Sequence, residues 1–268
     1  MKTCNLMSDY ISYLDIPRQW GLKSGDVVIL SSYLTRVVMD TKRNGEHFDM
    51  NLFLESVLDV IGEEGTLLIP TFNWDFCHGE TFDYYKTKSQ TGVLGDKALM
   101  HPKFRRTQHA LYSFAVAGKD QAMLCALTNQ SSFGADSPFA YLERCHAKQV
   151  MIDVPENHIW GFTYVHFVEE KFREFIPYRY MKEFRGTYID ESLRESIRTY
   201  TMFVRNLDMD VRVELDPLAE AFTREGVLTS YRINNEYYTV VDLYSSTRIV
   251  AEDILTNKSR LFTRYNGQ

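Results

Sequence analysis

The chain has 268 residues, 44% of them hydrophobic and 14% aromatic, enough to bury a full core in one large domain or two closely packed ones. Thirty basic residues against thirty-six acidic ones give a formal charge of −6, which disfavours nonspecific attachment to nucleic acid or an anionic membrane and leaves small molecules as the expected partners. The longest apolar runs fall far short of the roughly 20 residues that span a bilayer, Asp9 stands where a signal peptide is apolar, and Cys4, Cys77, Cys125 and Cys145 are scattered without a CxxC pair, so the expectation is a reduced, untargeted cytoplasmic protein.

In chain order, Asp26 to Ser31 reads as a buried strand, and Asp49 to Ile61 carries apolar residues at helical spacing until Gly62 and Gly65 punctuate it. Thr66 to Phe72 returns as a strand, which makes a βαβ opening. Asn73 to Gln90 has no period and reads as a long loop of the kind that serves a site. Tyr112 to Ala117 is a strand, Asp120 to Leu127 a short helix and Gln149 to Val154 a third buried strand. Ser137-Pro138 places a capping residue before a proline at the first helical position, so a helix runs from there toward Cys145. Thr163 to Phe172 reads as a helix that opens with a threonine. Glu191 to Leu207 and Pro217 to Glu225 are expected to be helical, and Tyr231 to Leu243 alternates like an antiparallel hairpin around Asn234-Asn235. The expected fold class is α/β, a mixed sheet flanked by helices with an antiparallel C-terminal part. The expected organisation is one domain over residues 1–268, with a catalytic core to residue 185 and C-terminal helices and a hairpin packed on it.

The segment richest in chemistry is Trp160 to Glu170 (WGFTYVHFVEE). On a helix, Thr163, His166 and Glu169 lie three apart along one stripe. A carboxylate one turn from an imidazole fixes its orientation and stabilises the imidazolium, as a general base requires. The same spacing also describes an ordinary surface pair. Metal binding is disfavoured: there is no HExxH, and neither His146 nor His158 completes a ligand spacing with His166.

Six segments, Val28 to Leu34 (VILSSYL), Gly65 to Phe72 (GTLLIPTF), Thr91 to Leu94 (TGVL), Arg106 to Gly118 (RTQHALYSFAVAG), Gly134 to Phe139 (GADSPF) and Thr163 to Glu169 (TYVHFVE), stand in an order and spacing that resembles the aminoglycoside 3-N-acetyltransferase family. Beyond about residue 185 the resemblance is thin. It implies an α/β fold and acyl transfer from an acyl-coenzyme A cosubstrate to a sugar amine, with no metal. His166 is then the base, Glu169 its orienting carboxylate and Thr163 the matching hydroxyl. The resemblance places Ser31, Ser32, Thr71, Thr107 and Ser113 on the coenzyme A side, although Ala110 stands where the family has proline, which alters the turn around His109.

Two stretches bear on the acceptor. In the long loop, Asp75, Glu80 and Asp83 stand among aromatics, so that this region, with Phe72 and Trp74, is suited to a cationic amine. Between Lys171 and Arg185, basic residues including Arg173, Arg179 and Lys182 are interleaved with Phe and Tyr, a composition suited to a diphosphate and a stacked base. Each stretch also reads as a solvated connection or a charged face. The modest net charge and the basic stretch tilt the reading toward a nucleotide-linked amino sugar of surface polysaccharide (lipopolysaccharide) biosynthesis, with an aminoglycoside as the alternative and a non-catalytic binding relative as the reading of another class. A homo-oligomer is compatible with the sequence; nucleic acid and membrane are not expected partners.

Overall fold

Alternate residues of the first apolar run point to opposite sides of one strand, and both sides are buried. Val27 and Ile29 enter one core cluster, while Val28 and Leu30 enter a second. A strand buried on both faces needs layers above and below it, and the fold supplies them with helices. The computed structural model describes residues 10–154 and 158–268; Cys4 and Asp9 lie outside the described residues.

The elements begin with β1 (Val27–Ser32), α1 (Thr35–Arg43), α2 (Met50–Ile61), β2 (Thr66–Pro70), β3 (Phe82–Asp83) and α3 (Val93–Met100). They continue with β4 (Arg105–Arg106), β5 (Phe114–Gly118), α4 (Gln121–Cys125), α5 (Pro138–Arg144), β6 (Lys148–Ile152) and α6 (Val165–Lys171). The C-terminal part holds β7 (Arg179–Ile189), β8 (Glu195–Arg205), β9 (Arg212–Val213), α7 (Asp216–Arg224), β10 (Leu228–Ile233), β11 (Glu236–Asp242), α8 (Leu243–Asn257) and β12 (Thr263–Arg264). No helix among the described residues is long and apolar enough to cross a membrane.

Seven strands form the main sheet in the order β10-β11-β6-β1-β2-β5-β4. β1 runs parallel to β2 and β6, and the flanking pairs are antiparallel. The fold is therefore mixed α/β, as the sequence indicates. α2 begins where Asp49 accepts hydrogen bonds from the backbone N–H groups of Asn51 and Leu52, and buries Phe53, Leu54, Val57 and Ile61 against one face of the sheet. α5 begins at Ser137, whose hydroxyl accepts from the Ala140 N–H. The β10–β11 hairpin turns through Asn234 and Asn235, both at positive φ, and it extends the edge of the main sheet beside β6.

The helix expected over 191–207 is a strand. β8 pairs residue for residue with β7 along an eleven-residue antiparallel ladder, from Arg179 opposite Arg205 to Ile189 opposite Glu195. Thr, Tyr, Phe and Val in TYTMFV, with Ile197 before them, favour extended backbone, and the ladder with β7 satisfies it. α8 is absent from the sequence reading because Ser246, Thr247 and Ala251 belong to its buried face, which weakens the helical hydrophobic stripe.

Gly118 ends β5 at φ +108, and a Cβ there would lie 2.2 Å from the Gly65 carbonyl oxygen on the adjacent chain. Neither strand can yield, because Thr66 pairs with Gly118 in the ladder. Gly118→Ala should destabilise the protein by at least about 2 kcal/mol, read as a fall of about 4 °C or more in melting temperature; a change within about 1 °C would contradict this account.

Candidate active site

The chain enters α6 through Gly161 at φ +76, and the Thr163 N–H donates to the Gly161 carbonyl at 2.7 Å. Tyr164, not Thr163, occupies the N-cap position, and the helix proper is Val165–Lys171. Thr163 nevertheless stays in turn register with His166, whose N–H donates to the Thr163 carbonyl at 3.0 Å. The apolar side of α6, Val165, Phe167 and Val168, is buried, which holds the next residues of the helix in place.

Glu169 is wholly buried, and each of its oxygens is used. Oε2 lies 2.6 Å from His166 Nδ1, and Oε1 accepts from the Tyr178 hydroxyl at 3.0 Å and from Arg179 Nε at 2.9 Å. Arg179 also donates Nη1 to the Phe203 carbonyl at 2.9 Å, and its Nη2 stands 3.1 Å from His166 Nδ1. A contact of 2.6 Å to a carboxylate assigns the Nδ1 proton to the Glu169 bond. The neutral imidazole then carries its lone pair on Nε2, which has no protein partner among the described residues. Burial, followed by the Arg179 charge, holds the His166 pKa below the usual 6.5, against the pull of Glu169. Burial alone would raise the Glu169 carboxyl, but Arg179, His166 and Tyr178 together bring it below its ordinary value. The pair is therefore a neutral imidazole on an ionised carboxylate near neutral pH.

Two cavities flank this unit. One, of about 540 Å³, is lined by His166, Arg179, Trp74, Tyr112, Phe133 and the β7–β8 ribbon. The other, of about 380 Å³, opens at the C-terminal ends of the parallel strands, where Ser31, Ser32, Ile152 and Val154 meet Thr91, Gly92, Trp160 and Thr163. That is where an α/β sheet presents its ligand crevice. Gln149 donates to both Ser31 Oγ and the Gly161 carbonyl at 3.2 Å, and so ties the end of β1 to the approach of α6. His166 faces the first cavity and Thr163 the second.

The model of the aminoglycoside 3-N-acetyltransferase family matches residues 43–253. The chain belongs to this family. Among solved structures it is similar to the aminoglycoside acetyltransferase AAC(3)-Xa, with a TM-score of 0.73 and 17% identity over 92% of this chain and 94% of that one. It is also similar to AAC-IIIb in its binary complex with CoASH (TM-score 0.73, 17% identity, 97% and 99% covered) and to AAC-VIa bound to sisomicin (TM-score 0.72, 17% identity, 93% and 98% covered). No curated protein matches the chain. As a member of this acetyltransferase family the protein is an N-acyltransferase, and the family match extends well past residue 185, where the sequence resemblance is thin.

The remaining expected site residues fall into three groups. Ser31, Ser32 and Thr163 line one cavity, and Trp74 lines the other beside His166. Thr71, Thr107 and Ser113 are all fully buried and take part in an interior hydrogen-bond network. The Thr71 and Ser113 hydroxyls lie 2.9 Å apart, Ser113 accepts from Arg106 Nε, and Thr107 Oγ1 accepts from the Phe114 N–H. Buried Arg106 requires these partners, and it also donates to the Tyr84, Thr87 and Thr71 carbonyls.

Phe72 lines the smaller cavity while its ring packs among Tyr112, Phe114 and Phe139, and Asp83 caps its own turn by accepting from the Tyr85 and Lys86 N–H groups. Asp75 accepts from Asn73 and Gln90. Arg173 lies in a separate cavity with Glu170 and Phe175, and Arg179 lines the cavity beside His166 while paired with Glu169. What the sequence reading missed is the role of Tyr178 and Arg179: nothing local signals a partnership with a helix nine and ten residues earlier. Gln149, a polar residue inside an apolar strand, carried a usable signal. Among the described residues no cluster of three or more His, Cys, Asp or Glu is arranged to hold a metal ion.

Because a base must be neutral to accept a proton, turnover should fall as the pH drops through the His166 pKa, with the midpoint below 6.5. Arg179→Gln removes the charge that opposes the imidazolium while leaving Glu169 in place, so the His166 pKa and the acidic limb of kcat/KM should both move to higher pH. A proton NMR titration of the His166 ring together with the pH–rate profile checks this; an unmoved limb and ring titration would contradict it.

Proposed function

We propose that the protein transfers an acyl group from an acyl-coenzyme A to an amine of an amino sugar, with His166 as general base. The observation that carries this reading is the imidazole held in one tautomer by a buried, ionised carboxylate, with its free nitrogen beside a cavity. The residues of the smaller cavity fit the donor. Ser31, Ser32 and Thr163 offer hydroxyls, Trp160 offers an exposed ring, and the N-terminus of α3 at Gly92 offers backbone N–H groups to an anion. When bound there, the thioester supplies an activated acyl carbonyl.

His166 Nε2 takes the proton that an ammonium must lose before its nitrogen can attack, and Glu169 stabilises the imidazolium that results. The new N–C bond forms as the C–S bond breaks, and of the two protons that the ammonium loses in becoming an amide N–H, one passes through His166 to the departing thiolate and the other leaves to solvent. Arg179 limits the basicity of His166 so that the ring is neutral when the amine arrives. Trp74, Tyr112 and Phe133 form the wall against which the sugar ring packs.

For the acceptor, the comparisons support an aminoglycoside over a nucleotide-linked sugar: the family carries that description, and one neighbour is bound to sisomicin. None of them supports a role in surface polysaccharide synthesis. A reduced set of cysteines and an acyl-coenzyme A donor suit the cytoplasm. The same His–Glu–Arg arrangement argues against a non-catalytic relative, which has no use for a neutral base over a buried carboxylate.

Thiol release from acetyl- and longer acyl-coenzyme A in the presence of an aminoglycoside panel tests the reading. His166→Gln should lower kcat by roughly 10² to 10⁴ while leaving the acyl-coenzyme A dissociation constant nearly unchanged. Turnover of His166→Gln within threefold of the parent protein would remove His166 from this role.

A further inference from the structure

The two serines that line the smaller cavity are not equivalent. Side chains alternate across a strand, so Ser31 shares the face of Ile29 and Ser32 that of Leu30. Ile29 belongs to the core cluster that holds Phe162, Val165, Phe167 and Val168, the apolar side of α6 and its approach, whereas Leu30 belongs to the cluster on the other side of the sheet. Ser31 therefore stands on the face that carries the base helix.

On that same face Gln149 pairs with Ile29 on one side and Val241 on the other, and it is fully buried. Its amide can be set in only one way. The Gly161 carbonyl is an acceptor, so the amide nitrogen must face it, and that nitrogen also lies 3.2 Å from Ser31 Oγ. An amide N–H donates and does not accept. Ser31 Oγ is thus the acceptor, and its own O–H is turned away from Gln149. No group among the described residues accepts that hydrogen, and Ser31 lines the cavity together with Thr163. The arrangement is not one that packing favours. Gln149 Oε1 is buried without a partner, and the Gly161 carbonyl already receives the Thr163 N–H at 2.7 Å. An apolar residue between Ile29 and Val241 would leave nothing unmatched there; the polar one is explained by what it does to Ser31.

Resting on the acyl-transfer reading above, we propose that Ser31 donates its hydroxyl hydrogen to the acyl carbonyl oxygen of the bound thioester, and that Gln149 is the positioning residue that keeps the hydroxyl aimed there. As the amine attacks, an electron pair of the C=O bond moves onto that oxygen, and Ser31 offsets the charge without giving up its proton. The pair returns to the carbonyl when the C–S bond breaks. Ser31, Gln149, Gly161, Thr163 and His166 form one continuous line of hydrogen bonds, since the Thr163 N–H donates to the Gly161 carbonyl and the His166 N–H to the Thr163 carbonyl. The line that sets the hydroxyl on the donor side therefore also sets the base on the acceptor side.

The test uses acetyl-coenzyme A labelled with carbon-13 at the acyl carbonyl, bound to the parent protein and to Ser31→Ala, Ser31→Thr and Gln149→Met. The infrared stretch of the labelled carbonyl should lie at lower wavenumber in the parent protein than in Ser31→Ala, and Ser31→Thr, which keeps a hydroxyl, should retain most of that displacement. In thiol release with an aminoglycoside acceptor, Ser31→Ala should lower kcat by roughly 10² to 10³. The dissociation constant of free coenzyme A, which has no acyl carbonyl, should stay within about twofold. Gln149→Met should lower kcat roughly tenfold without lowering the melting temperature, a combination that a merely structural glutamine would not give.

A carbonyl band at one position in the parent protein and Ser31→Ala, or a Ser31→Ala kcat within threefold of the parent, would overturn the proposal and leave acyl transfer in place. Parent-like turnover of Gln149→Met would remove Gln149 from the positioning role. Where acetyl-coenzyme A binds but no offered amine is acylated, the band alone decides. If the parent protein neither binds acetyl-coenzyme A nor releases thiol, the acyl-transfer reading fails and the proposal falls with it.

Discussion

One buried carboxylate organises the catalytic half of this protein. Glu169 has no access to water, and an ionised group in that position is stable only if its charge is met and its lone pairs are used. Three partners do this: the imidazole of the preceding turn, the Tyr178 hydroxyl and the Arg179 guanidinium. Because Arg179 is the first residue of the long β7–β8 ribbon, the same contact that orients His166 also docks the ribbon against α6. Orientation of the base and closure of the acceptor cavity are thus two consequences of one interaction.

That arrangement also explains how a histidine beside a carboxylate keeps a depressed pKa. A lone Glu would favour the imidazolium and leave the base protonated at neutral pH. Burial is the larger cause, and Arg179, which offsets the Glu169 charge at close range, adds to it. The carboxylate can still stabilise the imidazolium once it forms, because it is already ionised and its position does not have to change.

The two cavities are separated by the segment that leads into α6. Thr163 lines the one at the ends of the parallel strands, and His166, one turn on, faces the other. A donor in the first and an acceptor in the second would meet across the base, which is the geometry that a direct transfer between two bound substrates requires. Gln149 fixes this relation from below by joining β1 to Gly161. Ser113 and the Thr71 carbonyl, by contrast, accept from buried Arg106, and Thr107 accepts from the Phe114 N–H at the start of β5.

The sequence by itself determined the elements whose causes are local. The alternation in β1, the Asp49 and Ser137 caps, and the paired asparagines of the C-terminal hairpin each act within a few residues, and the His166–Glu169 spacing is a property of one helical turn. The family order of six short segments added the chemistry. What only the tertiary structure decided are the features whose causes lie far apart in the chain. β8 is a strand, where a helix is expected, because β7 pairs with it. Arg179 is joined to the His166–Glu169 pair because Glu169, ten residues earlier, is buried in front of it. Arg205 comes to stand opposite Arg179 only when the ribbon folds back on itself, since burial and charge compensation depend on neighbours in space that spacing along the chain does not reveal.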